Sequence, residues 1–402
     1  MAKKEIEQTE IEAPYELTEG WKWVRQNELC KLTDGEKRTG TEFPYLEVKY
    51  LRGKKEKDFV STGKFIKAGT KVILVDGENS GEVFTVPEDG FMGSTFKALE
   101  ISNVNENYLQ YFIHTKKDLY RNNKKGSAIP HLDKKLFFSM PFPLPPTLAE
   151  QQRIVNRIES MFVKLDEAKE KAQDVVDGFE TRKTAILHKA FTGELTARWR
   201  KENCVCDDSW VEKTIGECGK WERGRSKHRP RNAPELFGGK YPFIQTGDIA
   251  NADIYIYEHK QTLSEFGFQQ SRLFPKDTLC ITIAANIGKV AILTYDCCFP
   301  DSVVGFTPFE NVASKFMYYK INDMQKDLEA MAPATAQKNL NLKLLTSVSV
   351  QIPTLPEQVE IVRILDIIIE KENKAKQAAE TVLEQIDLLK KSILARAFRG
   401  EL

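Results

Sequence analysis

Apolar residues recur at alternating spacings of four and three from Ile154 through Ile158, Met161, Leu165, Ala168, Ala172, Val175 and Phe179 to Ile186, interrupted once by Arg182. That is the spacing of a coiled-coil seam, and it predicts a long helix. The pattern returns 207 positions later at Ile361, Leu365, Ile368, Glu372, Ala375, Ala379, Val382, Ile386, Leu389 and Ile393, with Glu372 as its polar intrusion. Both stretches open alike: Thr147-Leu-Ala-Glu150-Gln and Thr354-Leu-Pro-Glu357-Gln each set a Thr three residues before a Glu, the pattern of a capping box. They also close alike, in Ala190-Phe-Thr-Gly-Glu-Leu195 and Ala397-Phe-Arg-Gly-Glu-Leu402, with Gly193 and Gly400 placed as helix C-caps. Each helix is expected to run for about 40 residues, or ~60 Å at the α-helical rise.

Outside these stretches the period changes. Over 21–146, short apolar runs at 45–48, 71–75 and 82–86 alternate with Gly, Asp and Asn turns and predict strands of a mixed, largely antiparallel unit. A helix is expected at 105–122, with Tyr108, Tyr111, Phe112 and Leu119 along one face. Pro141-Phe-Pro-Leu-Pro-Pro146 then stops regular structure. Trp210 restarts the first unit in pieces. Trp21 matches Trp210 at an offset of 189, Phe43-Pro-Tyr45 matches Tyr241-Pro-Phe243 at 198, and Phe91, Ser94, Tyr108 and Tyr111 match Phe299, Ser302, Phe316 and Tyr319 at 208. The growing offset implies insertions in the second copy, whereas the helical copies keep one offset throughout.

The expected order is a mobile acidic leader at 1–20, a globular unit at 21–146, a helical region at 147–195, a linker at 196–209, a second globular unit at 210–353 and a second helical region at 354–402. The class is α+β: two mixed units separated by two long helices that pack as an antiparallel coiled coil, with a pseudo-twofold internal repeat. Pairing of each helix across a homodimer is the alternative, although one chain already supplies both seams.

Composition narrows the chemistry. Charged residues make up 29% and hydrophobic residues 41% of the 402 positions, an ordinary globular balance. Seven Cys occur without a CxxC or a His at zinc-ligand spacing, which reads as reduced structural thiols in a cytoplasmic protein with no metal site. No apolar run suits a signal peptide or a membrane span. No phosphate loop, GxSxG elbow, HExxH or methyltransferase Asn-Pro-Pro-Tyr motif is present, and His114, His131, His188, His228 and His259 have no neighbouring Asp or Cys that stands out. No catalytic residue is assigned, and the reading points away from an enzyme.

Basic clusters are the informative feature in a chain whose net charge is only +1. From Lys220 to Arg231 six cations face Glu222 alone, and Gly224 and Pro230 mark the segment as a loop. Arg223, Arg225, Lys227, Arg229 and Arg231 are candidates for phosphate contacts, and an Arg of such a loop can reach a guanine edge. In the first unit Arg52, Lys54, Lys55 and Lys57 flank Gly53 in an expected hairpin turn. Lys116, Lys117, Arg121, Lys124 and Lys125 end the expected helix, where they either touch DNA or complement the helix dipole. Gln245 and Thr246 follow an apolar strand and either read base edges or only shape a turn.

The two units, together with two copies of Leu-x-Glu-Gln, Ile-Val and Ala-Phe-x-Gly-Glu-Leu, make the chain resemble the specificity subunit of a type I restriction-modification enzyme over essentially its whole length. The resemblance implies that each globular unit binds one half of a split, asymmetric double-stranded DNA target, with the helix pair setting the distance between halves. It further implies two modification subunits that bind S-adenosylmethionine and methylate adenine, and restriction subunits that use ATP with Mg. This chain itself would bind no cofactor. The outer helix faces, including Glu150, Gln151, Arg182, Lys183, Glu357, Gln358, Lys390 and Lys391, become candidates for subunit docking or remain simply solvated. The repeat is broken at Glu372, and at 337–341 against 129–133. The competing reading is a non-enzymatic scaffold whose two units bind protein ligands.

Overall fold

The computed structural model describes residues 13–125, 130–206, 209–284, 287–331 and 340–402. The chain forms two compact units, one running to Gln173 and joined by Glu380–Leu402, the other formed by Asp174–Ala379. The division cuts both long helical stretches, so each unit holds a segment of each.

Unit 1 carries β1 (Lys22–Arg25), β2 (Cys30–Thr33), β3 (Glu36–Leu46), α1 (Val48–Leu51), β4 (Phe59–Ile66), β5 (Lys71–Leu74), β6 (Val83–Thr85), β7 (Gly90–Met92) and β8 (Phe96–Ile101). Then come α2 (Glu106–Thr115), α3 (Lys117–Asn122), α4 (Lys134–Ser139) and β9 (Pro141–Leu144). One sheet has the order β2-β8-β5-β6, while β3, β4 and β7 pair with one another. β1 pairs antiparallel with β9. The apolar run of β5 is buried on both faces, and Ile73 and Val75 meet Tyr108, Leu109 and Phe112 of α2 in the core.

Three local expectations change here. The run at 45–48 divides, since Glu47 is extended (φ −89°, ψ 165°) and Val48 opens α1. The helix expected over 105–122 breaks at Lys116 (φ −97°, ψ 4°), which turns Leu119 away from the apolar face and leaves it 38% exposed. The part of the leader from residue 13 is docked: Tyr15 donates to the Phe398 carbonyl at 2.8 Å and Thr18 to the Arg399 carbonyl at 2.9 Å. Residues 1–12 lie outside the described residues, as do Ile129 and 337–339 of the expected break in the repeat.

The first long stretch comprises α5 (Leu148–Asp177) and α6 (Phe179–Phe191), followed by α7 (Ala197–Glu202). Unit 2 continues with β10 (Val211–Thr214), β11 (Gly219–Arg223), β12 (Phe237–Phe243), α8 (Thr246–Asn251), β13 (Tyr255–Ile256), β14 (Gln261–Leu263) and α9 (Glu265–Gln269). Next are β15 (Leu273–Phe274), β16 (Leu279–Thr282), β17 (Val290–Leu293), β18 (Cys297–Cys298) and β19 (Val303–Pro308). The chain ends with α10 (Ser314–Asp323), α11 (Gln325–Met331), α12 (Leu342–Thr346), β20 (Ser349–Ile352) and α13 (Leu355–Ala397). The sheet order β11-β19-β16-β17 repeats β2-β8-β5-β6, and β10–β20 repeats β1–β9. The parallel pair β12–β18 repeats the parallel pair β3–β7. The drifting sequence matches therefore mark a repeat of topology.

The helical stretches run antiparallel within each unit. In unit 1, Lys390 pairs with Asp166 at 2.5 Å and Asp387 with Lys169 at 3.9 Å; in unit 2, Arg182 pairs with Glu372 at 2.7 Å. Their ends are embedded in the cores: Ile154, Ile158, Leu394 and Phe398 in unit 1, Leu187, Phe191, Ile361 and Leu365 in unit 2. The first seam is as expected, with Ile154, Ile158, Ala172 and Phe179 buried. Three of the ten positions of the second seam are shifted by one residue. Ala375, Val382 and Leu389 are exposed, and Lys376, Leu383 and Lys390 take the inward positions. The two lysines serve as seam residues because their charged ends lie over aromatic rings, Lys376 4.8 Å from the centre of Phe179 and Lys390 5.1 Å from that of Phe162.

The first helix is not continuous. Arg182 Nη2 donates to the Val175 carbonyl at 2.8 Å, and its guanidinium lies so close to Gly178 that a Cβ there would stand 2.5 Å from Nη1. Gly193 and Gly400, at φ +78° and +77°, cap the two stretches.

Candidate nucleic-acid interface

The repeated Glu-Gln motif fixes how each globular unit is mounted. Gln151 Oε1 accepts the Asn105 N–H at 2.7 Å, and Gln358 Oε1 accepts the Ala313 N–H at 2.9 Å, at the starts of α2 and α10. Each side chain also donates to a proline carbonyl, Pro145 at 3.4 Å and Pro353 at 2.9 Å. Both glutamines are 2% exposed or less. Replacing either with Leu takes the acceptor from a half-buried N–H at a helix start and is expected to lower stability by about 1–3 kcal/mol; the thermal unfolding midpoint of the full chain measures it.

This placement corrects the docking set. Gln151 and Gln358 are buried, and so is Glu357, which is 0% exposed. Glu357 Oε1 accepts from Thr196 Oγ1 and Arg200 Nη1 at 2.7 Å each and from Trp210 Nε1 at 3.1 Å. It is thus drawn out of the expected capping box, and the segment read as a linker becomes α7 with its Arg200 anchored. At the first copy Thr147 Oγ1 does accept the Glu150 N–H at 3.1 Å, while the Glu150 carboxylate turns to Arg153. Arg182 and Lys390 pair between helices instead of facing outward. Lys183 is half-buried, and Lys391 is exposed 3.7 Å from Asp118.

The strongest basic feature lies in unit 2. Lys220 and Arg223 belong to β11, so the loop begins only at Gly224, held by a hydrogen bond to the Val303 carbonyl and one from Arg225 N to the Phe299 carbonyl. Arg223 Nε donates to the Asp301 carbonyl at 2.5 Å, and Arg229 Nη1 to the carbonyls of Ser226 and His228 at 2.7 and 2.8 Å. Neutral carbonyls orient these guanidiniums without cancelling their charge. Among the described residues Arg223, Arg225, Lys227 and Arg229 have no carboxylate within ion-pair distance, whereas Arg231 is paired with Asp301 at 2.8 Å. The result is a local positive field on a nearly neutral chain.

Unit 1 compensates most of its cations. The segment 47–58 is a helical turn and loop between β3 and β4, not the tight hairpin expected. Arg52 pairs with Glu82, Lys55 with Glu47 at 2.6 Å and with Asp58, and Lys57 with Glu88 at 2.8 Å. Lys54 has no such partner among the described residues. Lys117, Lys124 and Lys125 meet Glu82, Glu78 and Asp133 at 3.8, 2.6 and 2.8 Å. Lys116 lies over the Phe112 ring at the end of α2, and burial pushes its ammonium below the usual lysine range. Arg121 stays exposed.

Gln245 and Thr246 border α8, where Asp248 Oδ2 accepts the Gln245 N–H at 2.8 Å and so explains the Thr-Gly-Asp turn. Gln245 Nε2 also donates to Gln261 Oε1 at 2.7 Å. The sequence carries no signal for Gln261, since β14 holds no basic cluster and its cross-strand pairing with Phe243 is a tertiary fact. Burial pushes the thiols of Cys30 and Cys297 up to about 12, which keeps them protonated. Among the described residues no cluster of His, Cys, Asp and Glu could hold a metal, and no helix is long and apolar enough to cross a membrane.

A family model described as the type I restriction modification DNA specificity domain matches residues 18–175 and 207–385. The type I restriction enzyme MjaVIII specificity subunit of Methanocaldococcus jannaschii is 26% identical, over 96% of this chain and 94% of its own length. The EcoBI specificity subunit of Escherichia coli is 21% identical over 99% of this chain and 90% of its own. In fold, the crystal structure of the HsdS subunit from Thermoanaerobacter tengcongensis is similar, with a TM-score of 0.68 at 20% identity over 98% of this chain and all of that one.

Proposed function

The chain belongs to the type I restriction modification DNA specificity family, and from that premise we infer how it works: it is the DNA-specificity subunit of a type I restriction-modification system, a reader without catalysis of its own. Unit 1 and unit 2 each recognise one half of a bipartite, asymmetric duplex target. Two modification subunits dock on the helical stretches and bring S-adenosylmethionine, and restriction subunits bring ATP with Mg. The observation that carries the DNA reading is the end of β11 and the loop after it, where Arg223 and Arg229 are held by backbone carbonyls and, among the described residues, neither they nor Arg225 and Lys227 are compensated by carboxylates.

Changing Arg223, Arg225 and Arg229 together to Gln should weaken duplex binding by the assembled complex. Each lost phosphate contact removes roughly 0.9 from the slope of log K against log salt, so the slope should flatten by about 2 to 3. Mobility-shift titrations at several salt concentrations measure this. An unchanged slope would remove the loop from the interface, and a wild-type complex that does not prefer duplex DNA would favour the protein-scaffold reading.

A further inference from the structure

The two units place one polar side chain at the same point of their folds. Glu47 directly follows β3, and Gln245 lies two residues past β12; each is the boundary residue of a short helix, α1 or α8. The strands carry Pro44 and Pro242 at matching positions, and each pairs in parallel with a short neighbour. Neither side chain belongs to a core: Gln245 is exposed, and the Glu47 side chain is 29% exposed. Each meets a polar partner, since Lys55 Nζ donates to Glu47 Oε1 at 2.6 Å and Gln245 Nε2 donates to Gln261 Oε1 at 2.7 Å. Glu47 Oε2 has no partner among the described residues.

Cations border both positions. Glu47 opens the segment that holds Lys54, Lys55 and Lys57. Ile244 N, beside Gln245, donates to the Cys298 carbonyl, and the next carbonyl, Phe299, accepts from Arg225 N of the basic loop. The difference between the two side chains is one of hydrogen-bond chemistry. A carboxylate only accepts, which suits the N4 amine of cytosine in the major groove. A primary amide donates and accepts, which suits N7 and N6 of adenine.

We propose that Glu47 and Gln245 are matched specificity determinants, Glu47 reading a cytosine in the half-site of unit 1 and Gln245 an adenine in the half-site of unit 2. This rests on the DNA-reading function proposed above. Buttressing by Lys55 and Gln261 fixes each side chain before DNA arrives.

The test co-expresses the full chain with the modification subunits of its system and sequences methylated DNA from the cells. If the wild-type complex marks no bipartite motif, the DNA-reading function itself fails. Given such a motif, Glu47→Gln should shift one C·G position of a single half-site to A·T by roughly tenfold or more, leaving the other half unchanged. Gln245→Glu should shift one A·T position of the other half to C·G. Lys55→Ala removes the buttress but keeps the reading group, and should weaken discrimination at that same position without switching it to A·T. A variant complex that methylates nothing is read by selecting bound duplexes from a library randomised in one half-site. Recovery of the wild-type base at every position by both variants overturns the proposal, and so does a Lys55→Ala complex that switches that position to A·T as fully as Glu47→Gln.

Discussion

Removal of one heptad from each helical stretch, residues 164–170 and 385–391, is expected to abolish methylation at the native target. These segments face each other through Asp166 and Lys390, and α13 runs from unit 2 into unit 1. Seven residues of helix correspond to ~10 Å of rise, close to three base pairs of duplex, or roughly 100° around an axis that turns once in about 10.5 base pairs. A unit displaced by that much meets a different face of the DNA. Whole heptads preserve the seam, so folding is retained while the measured distance changes. The expected methylome either lacks the native motif or shows its halves about three base pairs closer together. An unaltered motif would mean that the helices do not set the spacing.

The second large effect is on stability. Glu357→Ala removes a fully buried carboxylate that accepts from Arg200 Nη1, Thr196 Oγ1 and Trp210 Nε1. Breaking a buried pair in this way costs about 3–5 kcal/mol. For a unit of this size, each kcal/mol lowers the unfolding midpoint by roughly 2–4 °C, which makes the expected drop about 6–20 °C. The matching substitution Glu150→Ala removes only a solvent-facing pair with Arg153 and should cost under ~1 kcal/mol. The double variant Glu357→Leu with Arg200→Leu should lose less than Glu357→Ala, since both members of the buried pair are removed together. Differential scanning calorimetry of the full chain measures all three, and equal midpoints for Glu357→Ala and Glu150→Ala would show that the buried cluster does not hold unit 2.

Much of the architecture could be read from spacing alone. A heptad pattern is local and periodic, so both helical stretches, their common offset and their glycine caps were visible in the sequence. Apolar identity alone places the second seam one residue off at Ala375, Val382 and Leu389, whereas the Lys376 and Lys390 side chains lie along the seam and end over Phe179 and Phe162. The Glu-Gln motif was legible as a repeat but not as a mount. Its partners, Asn105, Ala313 and Arg200, are 45 to 157 residues away, and nothing in a linear pattern distinguishes an outward Gln from one turned onto a helix start. In the same way, runs of Lys and Arg located the basic clusters, but only the fold shows that Lys55, Lys57, Lys124 and Lys125 meet carboxylates while, among the described residues, Arg225 and Lys227 do not.

The central claim is that one chain reads two half-sites. Single-molecule methylation sequencing of DNA from cells expressing the chain with its modification subunits tests it most directly. The predicted result is one asymmetric motif of two specified halves separated by a fixed unspecified gap, with both halves lost or changed only by substitutions in their own unit. A single continuous motif, or methylation unaffected by which specificity chain is present, would contradict it.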